Sequence, residues 1–105
     1  MASITIRTPA DSESLTSPFP AAGAYDTLDL NDEEPNYVTS TLTVGDTMLN
    51  TQTYNIPAGS SSGEWSVTHT VGGGPYSGVT LTAQLYLNDQ LAASASVSNL
   101  TINAT

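Results

Sequence analysis

From Val79 to Leu87 every second residue is apolar: Val79, Leu81, Ala83, Leu85 and Leu87 alternate with Thr80, Thr82, Gln84 and Tyr86. A period of two places one set of side chains on each face of an extended chain, so this segment reads as a strand with one buried face. The same alternation recurs throughout. Tyr37–Val44 sets Val38, Leu42 and Val44 against Tyr37, Thr39, Thr41 and Thr43, and Glu64–Val71 sets Trp65, Val67, His69 and Val71 against Glu64, Ser66, Thr68 and Thr70. Ser3–Arg7 puts Ile4 and Ile6 on one face. Ala22–Leu30 is expected to turn Ala24, Leu28 and Leu30 inward around Asp26. Met48–Ile56 alternates more weakly and reads as a peripheral strand closed by Pro57.

The last segment, Leu91–Ile102, changes parity. Leu91, Ala93, Ala95 and Val97 are odd-numbered, whereas Leu100 and Ile102 are even. One extra residue must be absorbed near Ser98-Asn99, which predicts a β-bulge.

Composition agrees with strands rather than helices. Thr and Ser make 29 of the 105 residues; Thr suits a pleated, half-exposed surface, and the charged residues that coat helices are scarce. Three prolines, Pro9, Pro18 and Pro20, make Thr8–Pro20 an irregular connection or a kinked edge. Residues 57–63 and 72–78 read as loops. One domain is expected over residues 1–105, with Trp65, Val67, Leu81 and Leu85 in its core. Seven to eight strands of this length predict an all-β, antiparallel β-sandwich, a closed barrel being the alternative with the same periodicity.

Two stretches carry a family likeness. Gly63-Glu64-Trp65-Ser66-Val67-Thr68, followed by Gly78-Val79-Thr80-Leu81-Thr82-Ala83, resembles the second half of bacterial and phage immunoglobulin-like domains of the Big or fibronectin-III-like kind. There a glycine, a W-S-V-T strand, a Gly-containing turn and a G-Y-T-V-T-A strand follow in order. The likeness runs from Gly59 to Val97. Val79 stands where that family has Tyr, and the Gly72–Ser77 loop is longer than the usual turn. The resemblance implies an immunoglobulin-like sandwich serving as an interaction or spacer module, of the sort found in surface proteins, adhesins, glycosidase accessories and tailed-phage virions.

Charge excludes several functions. A single Arg and no Lys stand against ten acidic residues, giving a net charge of -9. One Arg cannot form the basic patch that displaces counterions from nucleic acid. Without Lys there is no Schiff base and no P-loop; without Cys there is no disulfide, thiol nucleophile or thiolate metal site. No run approaches the length of an apolar membrane span, and Met1–Arg7 lacks the apolar core of a signal peptide. The inventory argues against an enzyme.

The remaining candidates each have a plainer reading. Asp26, Asp29, Asn31, Asp32, Glu33 and Glu34 gather hard oxygen ligands that suit calcium, but the spacing is not that of an EF-hand, and a solvated acidic loop is the simpler account. No cofactor is expected beyond a calcium ion on that acidic run. Tyr25, Tyr37 and Tyr86 on polar faces suggest a sugar-binding aromatic strip or, more simply, surface coverage. His69, the only histidine, reads as a general base or as a buried ring satisfied by a backbone carbonyl. Gly59-Ser60-Ser61-Ser62-Gly63 matches the nucleophile-elbow pattern but leads into a strand rather than a helix. Asn99-Leu100-Thr101 and Asn103-Ala104-Thr105 are glycosylation sequons only in a secretory pathway.

These readings converge on a non-catalytic structural or interaction module. The first expectation is a virion protein, capsid-decorating or tail-associated, at the virion surface, with capsid or other virion subunits as partners and homo-oligomerisation open. A spacer or adhesion domain of a secreted bacterial surface protein, and a carbohydrate-binding accessory module, are the alternatives. On the virion reading, the Thr8–Pro20 arm and the N-terminal strand are expected to clamp another subunit by strand addition.

Overall fold

A computed structural model describes residues 3–8, 10–27, 36–56, 62–72, 74–87 and 90–103. They form eight strands: β1 (Ser3–Thr8), β2 (Ser14–Thr16), β3 (Phe19–Asp26), β4 (Asn36–Val44), β5 (Thr47–Asn55), β6 (Ser62–His69), β7 (Tyr76–Leu87) and β8 (Gln90–Asn103). The order β1-β3-β6 makes one sheet and β2-β8-β7-β4-β5 the other. The chain changes sheet at β1–β2, β2–β3, β3–β4, β5–β6 and β6–β7, and the last three crossings give the Greek-key connectivity of an immunoglobulin-like sandwich. All pairs are antiparallel except β2 with β8, which is parallel.

The apolar faces meet between the sheets. Val38, Leu42, Trp65, Val79, Leu81, Ala83, Leu85, Leu100 and Ile102 are completely buried, and Val67 packs on them partly exposed. Trp65, Leu81 and Leu85 therefore occupy the core as their alternation requires. β5 lies at a sheet edge, matching its weaker pattern.

The bulge sits where the parity slips. Val79 pairs with Leu100 and Leu81 with Val97, so two residues of β7 span three of β8. Asn99 takes up the extra residue at φ 59°, a left-handed conformation that Asn tolerates better than most side chains. After it, Leu100 and Ile102 return to the core.

β3 corrects one expectation. The buried residues are Phe19, Ala21, Gly23, Tyr25 and Thr27, whereas Ala24 and Asp26 lie on the other, half-exposed face. Leu28 and Leu30 lie outside the described residues. The reason is size and charge: two large aromatic rings on the odd parity bury more apolar area than two alanines, and Asp26 stays out of the core. Gly23 completes the inward set because there is no room for a side chain. Its position faces Trp65 on β6; the Trp65 Nε1–H donates to the Thr5 carbonyl on β1 at 3.1 Å, and a Cβ on Gly23 would lie 1.8 Å from that carbonyl oxygen.

The Pro-rich segment is also placed differently from the expected clamp. It is a bridge within the molecule, leaving β1 in one sheet and pairing β2 with β8 in the other. Ser12 N–H donates to Ser98 O, Thr101 N–H to Glu13 O and Ser17 N–H to Asn103 O. Leu15 is buried, and Ser17 Oγ accepts the Val71 N–H at 2.8 Å. Burial of Leu15 and this ladder occupy the inner side of β2, so the segment is not a free arm.

Candidate functional site

The polar residues on the inward parity come together. Ser40 stands between Val38 and Leu42 on β4, His69 follows Trp65 and Val67 on β6, and both are completely buried. Ser40 Oγ lies 2.8 Å from His69 Nε2, and Asn50 Oδ1, on β5, lies 2.7 Å from His69 Nδ1. Asn50 Oδ1 can only accept, and it also receives the Gln52 Nε2–H at 3.2 Å. The proton is therefore on Nδ1, Nε2 is the acceptor, and the Ser40 hydroxyl donates to it. Burial pushes the His69 pKa down from 6.5 to about 4, because the charged ring loses its hydration.

This is the connectivity of a Ser-His-Asn relay, in which a serine hydroxyl is held by an imidazole oriented by an amide. Here neither the hydroxyl nor the imidazole reaches solvent. The arrangement ties one sheet to the other and satisfies the buried histidine through two side chains, not through the expected backbone carbonyl. Sequence reasoning passed over Ser40 and Asn50. A usable signal was present: Ser40 is the polar residue among apolar neighbours on the inward parity of β4.

The second feature is the outer face of the five-stranded sheet. Register places Asn55, Tyr37, Tyr86 and Leu91 in one row across β5, β4, β7 and β8. Thr53, Thr39, Gln84 and Ser94 form the next. Thr51, Thr41, Thr82 and Ser96 form a third. No charged side chain occurs in these rows. The Tyr37 and Tyr86 rings are stacked, with centroids 5.0 Å apart and planes 18° from parallel. Tyr86 O–H donates to Gln84 Oε1 at 3.2 Å, and Thr51 O–H to Thr41 Oγ1 at 3.3 Å.

Of the three tyrosines read as a strip, only two share a surface. Tyr25 is buried in the other sheet, where its ring is tilted against Tyr54 at 6.5 Å. Its inward parity on β3, opposite to the one expected, removes it from the surface.

The acidic candidates are mostly out of view: Asp29, Asn31, Asp32, Glu33 and Glu34 lie outside the described residues. Asp26 closes β3, opposite Ser3 and Ser62. Among the described residues no three of His, Asp and Glu gather around one point. The elbow-like stretch contributes Ser62 and Gly63 to the start of β6, and its first three residues are outside the described set. Asn99 is exposed at the bulge; Asn103 Nδ2–H donates to Ser14 Oγ at 3.5 Å. Arg7 pairs with Glu64 on the surface.

No protein-family model matches the chain, and no curated protein does. Among solved structures it is similar to a CARDB domain from Pyrococcus furiosus, solved in complex with di-metal ions, at 13% identity and a TM-score of 0.47, covering 94% of this chain and 90% of that one. It is also similar to part of an alkylpurine DNA glycosylase from Pseudomonas fluorescens, bound to DNA containing an abasic site analog, at 12% identity and a TM-score of 0.43. That match covers 99% of this chain and 29% of the glycosylase. The immunoglobulin-like assignment rests on the strand order and pairing described above.

Proposed function

We propose that this chain is a non-catalytic structural and interaction module that attaches to a virion subunit, as a capsid-decorating or tail-associated protein, by accepting or adding a strand at the free edges of its larger sheet. The observation that supports this reading is the chemistry of those edges. Among the described residues, β5 has a strand on one side only, and so does β8 over residues 90–97. Neither stretch contains a charged residue or a proline. Edge strands are ordinarily blunted by Lys, Pro or bulges that prevent unwanted pairing; each of these edges has one irregularity, at Leu49 in β5 and at Ala92 in β8, and the uncharged stretches beyond them, residues 50–55 and 93–97, suit a chain that pairs with something. The Ser40–His69–Asn50 relay fits a non-catalytic role, since its hydroxyl meets no solvent and hence no substrate.

Gene context and co-sedimentation test the reading. Capsid or tail genes on either side, and co-sedimentation with particles assembled from their products, support it. Lysines placed at the edges, Met48→Lys on β5, where the side chain is exposed, and Ala92→Lys on β8, should abolish co-sedimentation while the fold persists. A long flanking chain with an export signal overturns it in favour of a surface-protein spacer.

A further inference from the structure

We infer that the outer face of the five-stranded sheet is a binding platform for a neutral polysaccharide, centred on the stacked Tyr37–Tyr86 pair. The inference goes beyond the edge-docking reading, because it concerns a face and not an edge, and a glycan and not a protein.

The chemistry of the face selects the ligand class. A sugar ring offers an apolar C–H face and a rim of hydroxyls that both donate and accept. It is matched by an aromatic surface beside neutral hydroxyls and amides, with no charge to desolvate. Tyr37 and Tyr86 supply the aromatic surface, and Asn55, Gln84, Thr39 and Thr53 the neutral hydrogen-bonding groups, all in two adjacent rows. Gln84 accepts from Tyr86 through Oε1 and keeps its amide N–H groups for a ligand. The two rings hold each other, so a ligand that packs on them has little side-chain freedom to remove.

The shape favours a chain over a single sugar. Three rows on four strands give a continuous surface roughly 14 Å across the strands, from a spacing of about 4.8 Å. A net charge of -9 disfavours polysaccharides rich in carboxylate or sulfate. A protein occupant is a poorer match. Protein interfaces centre on buried aromatic or Arg anchors in desolvated pockets, and on these rows Leu91 is the large aliphatic side chain that stands exposed.

Native affinity electrophoresis tests the inference directly. The full chain is run through gels containing β-glucan, xylan or galactomannan, with alginate as the anionic comparator, and is mixed separately with cellulose and chitin. Retardation or pull-down by at least one neutral glycan, and none by alginate, is expected. Tyr37→Ala and Tyr86→Ala should each weaken it by about tenfold, the size of losing one good aromatic contact. Tyr86→Phe should retain most of it. Thr68→Ala, exposed on the other sheet, should change nothing. Urea unfolding followed by Trp65 fluorescence checks that each variant is folded. No binding to any neutral glycan, binding to alginate alone, or equal binding by the folded Tyr variants overturns the inference. None of these outcomes bears on the Met48→Lys and Ala92→Lys test of edge docking, since neither residue lies in the rows of the platform.

Discussion

Ser40 Oγ and His69 Nε2, 2.8 Å apart, join the two sheets of the sandwich through a hydrogen bond that is closed to solvent. Because His69 Nδ1–H is committed to Asn50, the ring is held in one tautomer and serves three strands, β4, β5 and β6. A protonated ring has a second N–H in place of the acceptor, so Ser40 must turn its hydroxyl away and accept instead. Burial makes that charged state costly.

Stability should therefore fall with acidification in a defined window. The folded pKa, about 4, lies below the unfolded value of 6.5, so the unfolded chain binds the proton first as pH drops. The neutral ring's contribution is whole above pH 6.5, is lost progressively down to pH 4 and is gone below it. The shift corresponds to roughly 3 kcal/mol. Urea unfolding of wild type and His69→Gln at pH 7, 5.5 and 4 measures it: the stability advantage of wild type should shrink steadily. Identical pH slopes for the two proteins would contradict the assignment.

Gly23→Ala should be among the most damaging single-methyl changes in this chain. The added Cβ would meet Thr5 O at 1.8 Å and Trp65 Nε1 at 2.9 Å, forcing β1 from β3 and breaking the indole hydrogen bond. A loss of about 3 kcal/mol or more is expected. Gly72→Ala is the control, since a Cβ there meets nothing within 4 Å; its melting temperature should match wild type.

At the bulge, Asn99 tests backbone conformation without touching the core. Asn99→Val should cost about 1–2 kcal/mol, because a β-branched residue at φ 59° is strained. Asn99→Gly should be close to neutral or slightly stabilising. Chemical denaturation of both variants reads the difference, and equal stabilities would mean that the left-handed position is not maintained in solution.

Arg7→Ala should change stability by less than about 0.5 kcal/mol. The Arg7–Glu64 pair is exposed, with side chains 61% and 66% accessible, and water screens such pairs. A loss above 1 kcal/mol in urea unfolding at moderate salt would assign the pair a structural role.

Much of this architecture is legible in the chain itself. Alternation depends on which residue types repeat every second position, so β4, β6, β7 and the bulge in β8 follow from local pattern alone. Val79–Leu87 and the parity change after Val97 are sufficient for that. The facing of β3 is not legible locally, because Ala22, Ala24, Leu28 and Leu30 are apolar on either parity; the deciding facts are the aromatic rings of Phe19 and Tyr25 and the space that Trp65 needs across Gly23.

Residue types alone determined that this protein is an all-β chain with a core built on Trp65, Leu81 and Leu85 and with no means of thiol, Schiff-base or phosphate-clamping chemistry. Tertiary structure alone decided which distant residues meet. Ser40, Asn50 and His69 come from three strands, and Tyr37 and Tyr86 are neighbours only because β4 and β7 pair in that register. The physical reason is the same in each case. Strand formation is written in short-range periodicity, whereas a site depends on long-range register, which is set by the collective packing of two sheets and by no single segment.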